Sequence, residues 1–335
     1  MKLVGIRALQ PNEKLSTPIK MADGRVLLSA GAQITENYIE RLKRIGIYSV
    51  YVDDDMYDDV KVVNAIDDET KAAALNVISK VYKQSDSNKP FDEYEVKAVV
   101  KNIVQDVKGV VGSSINLFNT YMVEDPRHIH AVNVAVISAA MALLKGYAVD
   151  MLEDTVAGAF LHDVRLKSVD EMKNAEHAKE GLEYMRLHRS ISTRSYMITY
   201  AHHEHFDGSG FPRCAAGEEI YEGARLVAVA DMYDRLVHGY GEKAPIMPHE
   251  AYEIMNASAW KSLDGDMLEL FKDSMAIYPT GATIVLNNGE KGLVVRQNPK
   301  MPLRPVVRVI TGDKQIAEYD LLEHLTLFID KVILA

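Results

Sequence analysis

The run His202-His203-Glu204-His205-Phe206-Asp207-Gly208-Ser209-Gly210-Phe211-Pro212 interrupts a long helical segment. Its first residues close a helix expected over Ser190–His202, and the rest opens the one loop rich in Gly and Pro, between His203 and Tyr221. Upstream, Val96, Val99, Val100, Ile103, Val104 and Val107 recur at spacings of three and four, which places them on one helix face. Further helical stretches are expected at His128–Lys145, Asp150–His162 and Ser168–His188, and downstream at Tyr221–Val237 and His249–Ala257. Residues 68–275 therefore read as an all-helical bundle with a conspicuous loop, and the chain as mainly α.

The period changes on both flanks. In residues 1–67, β-like runs at Lys2–Ile6, Arg25–Leu28 and Ser49–Val52 surround a helix expected over Thr35–Ile45, which predicts a small mixed α/β N-terminal module of unassigned role. The acidic stretch Asp53–Asp59 lacks the glycine turn and closing Glu of a calcium loop and reads as a solvated edge. In residues 276–335, turn signals at Tyr278-Pro279-Thr280-Gly281 and Asn287-Asn288-Gly289 separate β-like runs at Thr283–Leu286, Gly292–Arg296 and Val306–Ile310. A small β-rich C-terminal module is expected there.

Bulk properties narrow the partners. A chain of 335 residues with 47% hydrophobic content can fill several cores, and a net charge of −10 argues against a nucleic-acid polymer while leaving room for a small anionic ligand. Cys214 is the single cysteine, so no intramolecular disulfide forms and a reducing compartment is expected. The start, Met1-Lys2-Leu3-Val4-Gly5, does not read as a signal peptide. Apolar stretches such as Ala131–Leu144 contain polar breaks and fall short of the roughly 20 residues of a membrane span. A cytoplasmic protein with no membrane partner is expected, and apolar faces on Ala72–Val81 and Val96–Val107 offer a surface for a helical homodimer.

The ionisable residues of the helical segment carry the chemistry. His162-Asp163 closes the apolar stretch Val156–Leu161, His202-His203-Glu204 closes another helix, and Asp231 follows the apolar run Leu226–Ala230. Adjacent helical residues diverge by about 100°, so such doublets converge on one point only at a helix end, and most naturally around two ions side by side. One buried His is more often a packed core residue than a ligand. Here His130, His162-Asp163, His177, His202-His203 and Asp231 occur in order on successive helices, and burying all of them without metal would be costly.

At this point a family resemblance enters. The run His202–Pro212 resembles the HD-GYP signature HHExxDGxGYP at every fixed position but the tyrosine, which is Phe211. His130-Ala131-Val132-Asn133-Val134-Ala135-Val136 is similar to the family's HSVNVAV helix, His177-Ala178-Lys179-Glu180-Gly181 to its HPxxG segment, and Val229-Ala230-Asp231-Met232-Tyr233-Asp234 to its VADxYD segment. The resemblance covers His128 to Asp266.

The resemblance implies an HD-type helical bundle in a bacterial signalling protein, acting on cyclic di-GMP or a related cyclic dinucleotide and in contact with other signalling proteins. It implies a binuclear centre of iron or manganese that hydrolyses cyclic di-GMP through a bridging hydroxide to pGpG, with GMP as a further product. By analogy His130, His162, Asp163 and Asp231 hold one ion; the other shares Asp163, which is thereby catalytic, and takes His177, His202 and His203. His130 rather than His128 is expected as the ligand, because residues two apart do not share a helix face. Asp207 and Gly208 shape the turn at the substrate side, and Glu204 is expected to orient a ligand histidine. Pro126 lies where trinuclear members carry a glutamate, so two ions are expected.

The sequence also departs from the family. HDxGK reads His162-Asp163-Val164-Arg165-Leu166, so Leu166 replaces the lysine, and Arg165 or Lys167 is expected to supply the positive charge. His177 follows His162 after only 15 residues, about half the family spacing, which predicts an open pocket. Phe211 keeps the signature ring but loses a hydroxyl, about 1–2 kcal/mol if that hydrogen bond is used. Tyr240 stands at the family's ligand-contacting arginine, and Lys243 keeps the second basic position. These departures motivate an alternative, a weak or inactive cyclic dinucleotide receptor on the same scaffold, and a third reading, a phosphodiesterase for cyclic GMP-AMP.

Overall fold

The computed structural model of the chain describes residues 1–21, 23–44, 47, 49–110, 115, 121–122, 125–167, 175–239, 244–299, 301–310 and 316–333. They form two compact units. Met1–Asn64, Gly112–Glu124 and Met275–Ala335 make the first; Ala65–Val111 and Asp125–Ser274 make the second. The terminal modules, expected from sequence as separate pieces at 1–67 and 276–335, fall into one unit.

In the first unit, β1 (Lys2–Gly5), β2 (Ile19–Met21), β3 (Val26–Leu28), α1 (Glu36–Arg44) and β4 (Ser49–Val52) form the N-terminal part. Strands β1 and β4 pair antiparallel, while β2 lies between β3 and β5 (Tyr121–Met122), parallel to the latter. Ile39 and Leu42 of α1 join Val4, Leu15, Ile19 and Val50 in a common core. The C-terminal part is an antiparallel sheet of β6 (Thr283–Leu286), β7 (Lys291–Arg296), β8 (Val306–Ile310), β9 (Ile316–Asp320) and β10 (Ile329–Ile333), in the order β10-β6-β7-β8-β9. Specific bonds tie the two parts together. The Leu3 amide donates to the Gly281 carbonyl at 2.8 Å, the Tyr51 hydroxyl donates to the Thr280 carbonyl at 3.1 Å, and Arg308 grips both oxygens of Asp59 at 2.7 Å. The acidic stretch is thus solvated at its edge but pinned at Asp59.

The second unit is all helical: α2 (Asp68–Asp86), α3 (Glu93–Val110), α4 (Pro126–Lys145), α5 (Val149–Leu161), α6 (Glu176–Met185), α7 (Thr193–Ala201), α8 (Glu222–His238), α9 (Pro248–Ala257) and α10 (Gly265–Ser274). Helix α4 is its axis. Asp125 caps it by accepting from the Arg127 amide, Pro126 sits at its first turn where no amide is needed, and Gly146 ends it in the left-handed region at φ 79°. Its residues are buried from Ile129 to Ala142, against α2, α3, α5, α8 and α10. By length and composition α4 could cross a membrane, with a mean hydropathy of 1.4, so the sequence expectation that no stretch reaches that length needs correcting. Most of it, 78% of that window, is buried inside the protein.

Much of the apolar faces of α2 and α3, expected from sequence to offer a homodimer surface, packs inside the helical unit. Ala74, Leu75, Ile78 and Val81, and Val96, Val99, Ile103 and Val107, are buried where these helices pack on each other and on α4.

Candidate metal centre

Helix ends deliver most of the ionisable side chains. His130 projects from the second turn of α4, His162 caps the C-terminus of α5 with Asp163 next to it, and His177 lies in the first turn of α6. His202 caps α7, His203 follows, and Asp231 sits within α8. Because the chain leaves helical geometry after His162 and after His202, neighbouring residues there can aim inward together.

The result is two groups of ligand atoms that share Asp163: His130, His162, Asp163 and Asp231, and Asp163, His177, His202 and His203. In the first, His130 Nε2 lies 3.0 Å from Asp231 Oδ1 and 3.2 Å from His162 Nε2, which is 3.4 Å from Asp163 Oδ2. In the second, His202 Nε2 is 3.3 Å and His177 Nε2 3.8 Å from the other oxygen of Asp163.

The imidazoles are oriented from behind. His162 Nδ1 meets the Ala159 carbonyl at 2.6 Å and His202 Nδ1 the Thr199 carbonyl at 2.9 Å, so both must donate there and turn Nε2 inward. His130 Nδ1 meets Asp234 Oδ2 at 2.7 Å, and Asn133 donates to the other oxygen of Asp234 at 2.8 Å. His238 approaches that second oxygen at 2.8 Å.

Buried polar atoms without partners identify what the arrangement is suited to hold. Nε2 of His202 and of His203, and Oδ1 of Asp163, are buried and make no hydrogen bond. Such atoms are expensive unless a cation satisfies them, and a mixed imidazole and carboxylate set suits borderline divalent ions such as iron or manganese. Burial, then the adjacent His202, holds the His203 imidazole well below its ordinary range, in the neutral form that ligates metal. Burial opposes ionisation of Asp163 and Asp231, yet His162 and Arg235 keep the first, and Arg235 and His130 the second, well below the usual carboxylate range. Burial also opposes a charge on His162, but Asp163 outweighs it and raises the imidazole to about 10.

The other residues singled out from sequence lie around this centre in different ways. Arg165 donates to the Ser85 carbonyl and Asn88, stands 3.6 Å from Glu180, and lies over the Tyr184 ring. Lys167 is exposed and faces Glu180 at 4.0 Å. Leu166 is buried in the core, and its carbonyl accepts from Arg127. The Phe211 ring lies tilted beside His203, with centroids 4.9 Å apart, and edge-on to His177 at 6.3 Å. Asp207 accepts from the Ser209 amide in a turn that Gly208 completes. Gly210 passes so close to the chain that a Cβ would fall 2.2 Å from the His205 amide nitrogen, so only glycine fits. Tyr240, Lys243 and the stretch 168–174, on which the expected open pocket depends, lie outside the described residues. Glu204 places both oxygens elsewhere than expected: they accept from the Arg213 and Ala215 amides and clamp the loop. His128 lies at the start of α4 beside Tyr82 and Asp125.

Two contributors escaped the sequence reading. Asp234 and Arg235 follow Asp231 by three and four residues, hence on the same face of α8, and that spacing was the available signal. Arg235 reaches Asp231 at 2.6 Å and Asp163 at 3.0 Å.

Comparison with known proteins agrees with this architecture. Residues 170–267 match the HD domain model, and residues 283–334 match that of a KOW domain associated with HD domains. The C-terminal half of the helical unit thus resembles an HD domain. Its loop signature is of the HD-GYP kind, with phenylalanine at the tyrosine position. A cyclic di-GMP phosphodiesterase of Pseudomonas aeruginosa is 24% identical over 73% of this chain and 64% of its own length. One from Thermotoga maritima is 26% identical over 47% of this chain and 46% of its own. A 3′3′-cGAMP-specific phosphodiesterase of Vibrio cholerae is 26% identical over 42% and 30%. The chain thus spans less than two thirds of the length of the curated relatives it matches.

Proposed function

We propose that this helical unit hydrolyses cyclic di-GMP to linear pGpG, with GMP as a further product, using two divalent ions of iron or manganese. The observation that carries the reading is the pair of buried ligand groups joined through Asp163, with Nε2 of His202 and His203 left without hydrogen bonds. His130, His162, Asp163 and Asp231 would hold one ion, and Asp163, His177, His202 and His203 the other. When bound, such ions supply Lewis acidity toward phosphoryl oxygens and lower the pKa of water toward neutrality. The protein contributes orientation: Asp234, Ala159 and Thr199 fix three imidazoles, and the Glu204 clamp holds the loop that carries Phe211 next to His203. Curated relatives named for cyclic di-GMP and for cGAMP both support a cyclic dinucleotide as the substrate class.

A second reading, a cyclic dinucleotide receptor with weak or no turnover, is favoured by one observation. The position of the family lysine is a buried leucine, and Arg165 and Lys167 are engaged with Glu180. Chromatography of products from cyclic di-GMP and from 3′3′-cGAMP, incubated in parallel without oxygen with the manganese-loaded protein, separates these readings. Linear pGpG as the faster product supports the proposal. Faster cleavage of cGAMP moves the substrate, and binding of both without a linear product makes the chain a receptor.

A further inference from the structure

Arg235 stands one helical turn beyond Asp231 on α8 and reaches two carboxylates at once. Its Nε is 2.6 Å from Asp231 Oδ1 and its Nη2 is 3.0 Å from Asp163 Oδ2. These are the oxygens that face His130 and His162. Asp163 turns its other oxygen toward His177 and His202. The guanidinium therefore shares the anionic donor atoms of one ligand group, and the two groups are not equivalent.

We propose that Arg235 makes the two metal positions unequal, so that the His177–His202–His203–Asp163 group fills first and the His130–His162–Asp163–Asp231 group holds its ion weakly and exchangeably. The proposal rests on the reading of these seven residues as metal ligands. An ion entering the His130–His162–Asp163–Asp231 group must either displace the guanidinium, losing its ion pair with Asp231 and its hydrogen bond to Asp163, or bind a few ångströms from a like charge in a poorly solvated site. Both lower its affinity. The opposite role is an arginine that props the carboxylates for the metal; losing a partner of that kind typically weakens binding by about 10–100-fold. The sign of the change on removing Arg235 decides between the two.

The test is an anaerobic Mn(II) titration of the metal-free full chain by calorimetry, with free ion followed by electron paramagnetic resonance. The wild type should bind two ions in steps separated by about tenfold or more, and His130→Ala should remove the weaker step alone. Arg235→Gln should tighten that weaker step by about tenfold or more, on the same scale that outer partners are known to tune metal sites. Arg235→Lys, which retains the charge, should shift it less and keeps the test open if the Gln variant folds poorly. A weaker step that is unchanged or loosened in Arg235→Gln overturns the proposal, as do two equal steps in the wild type. Turnover is not read in this titration, so failure here leaves the phosphodiesterase reading standing, and absent turnover leaves this result standing.

Discussion

Asp163 offers one oxygen to each ligand group, so its loss should damage both. Asp163→Ala is expected to lower bound manganese from two ions to fewer than one per chain and to abolish turnover with it, checked by metal analysis and product formation on one sample. His188 illustrates the converse, a histidine with no part in the centre. It is fully buried, stacks on Phe91 with ring centroids 3.7 Å apart, and its Nε2 accepts from the Phe91 amide at 3.0 Å, which requires the neutral ring. Burial accordingly lowers it below its ordinary value of 6.5. A depressed folded value means the unfolded chain binds the extra proton, so this contribution is present above pH 6.5 and is lost as pH falls toward the folded value. His188→Phe should therefore cost about 1–3 kcal/mol at pH 8, from the orphaned amide, and less at pH 5.5, as read by urea unfolding at both.

At the scale of elements, the loop after α7 is held by the Glu204 carboxylate, which accepts from two of its amides, and by the close backbone approach at Gly210. Glu204→Ala leaves the Arg213 and Ala215 amides without their acceptor and should cost about 1–3 kcal/mol in urea unfolding. Gly210→Ala forces a Cβ against the His203 carbonyl, 2.4 Å away, and should reduce metal uptake by the group that contains His203 while sparing the other. The role of Glu204 could not be read from sequence because the amides it caps lie nine and eleven residues away, across a turn whose path is set by tertiary packing. Helix α10 passed unnoticed, although Met267, Leu268 and Phe271 are buried at helical spacing. Strands β9 and β10 have mostly half-exposed or exposed side chains at the two edges of the sheet, so they lack the apolar run that made β6, β7 and β8 legible. The His-Asp and His-His doublets were legible because each is local in sequence and sits at a helix end; Arg235 needed the further step of projecting α8 onto its faces.

For the molecule as a whole, both ligand groups belong to the helical unit, between Asp125 and Ser274. Manganese should accordingly slow hydrogen exchange at the ends of α5 and α7 and along α8, and leave the amides of β6–β8 unchanged; protection spread equally over both units would argue that the ions bind elsewhere. The division into units was itself only half legible. Periodicity marked where helices give way to strands, but bonds such as that between Leu3 and Gly281 join segments from opposite ends of the chain. The central claim, a two-ion cyclic dinucleotide phosphodiesterase, is tested most directly by counting bound metal and measuring cyclic di-GMP hydrolysis on the same protein, purified without oxygen and supplied with Fe(II) or Mn(II). The account predicts two ions per chain and a linear dinucleotide product, whereas a protein that binds no metal, or holds both ions and releases no linear product, would contradict it.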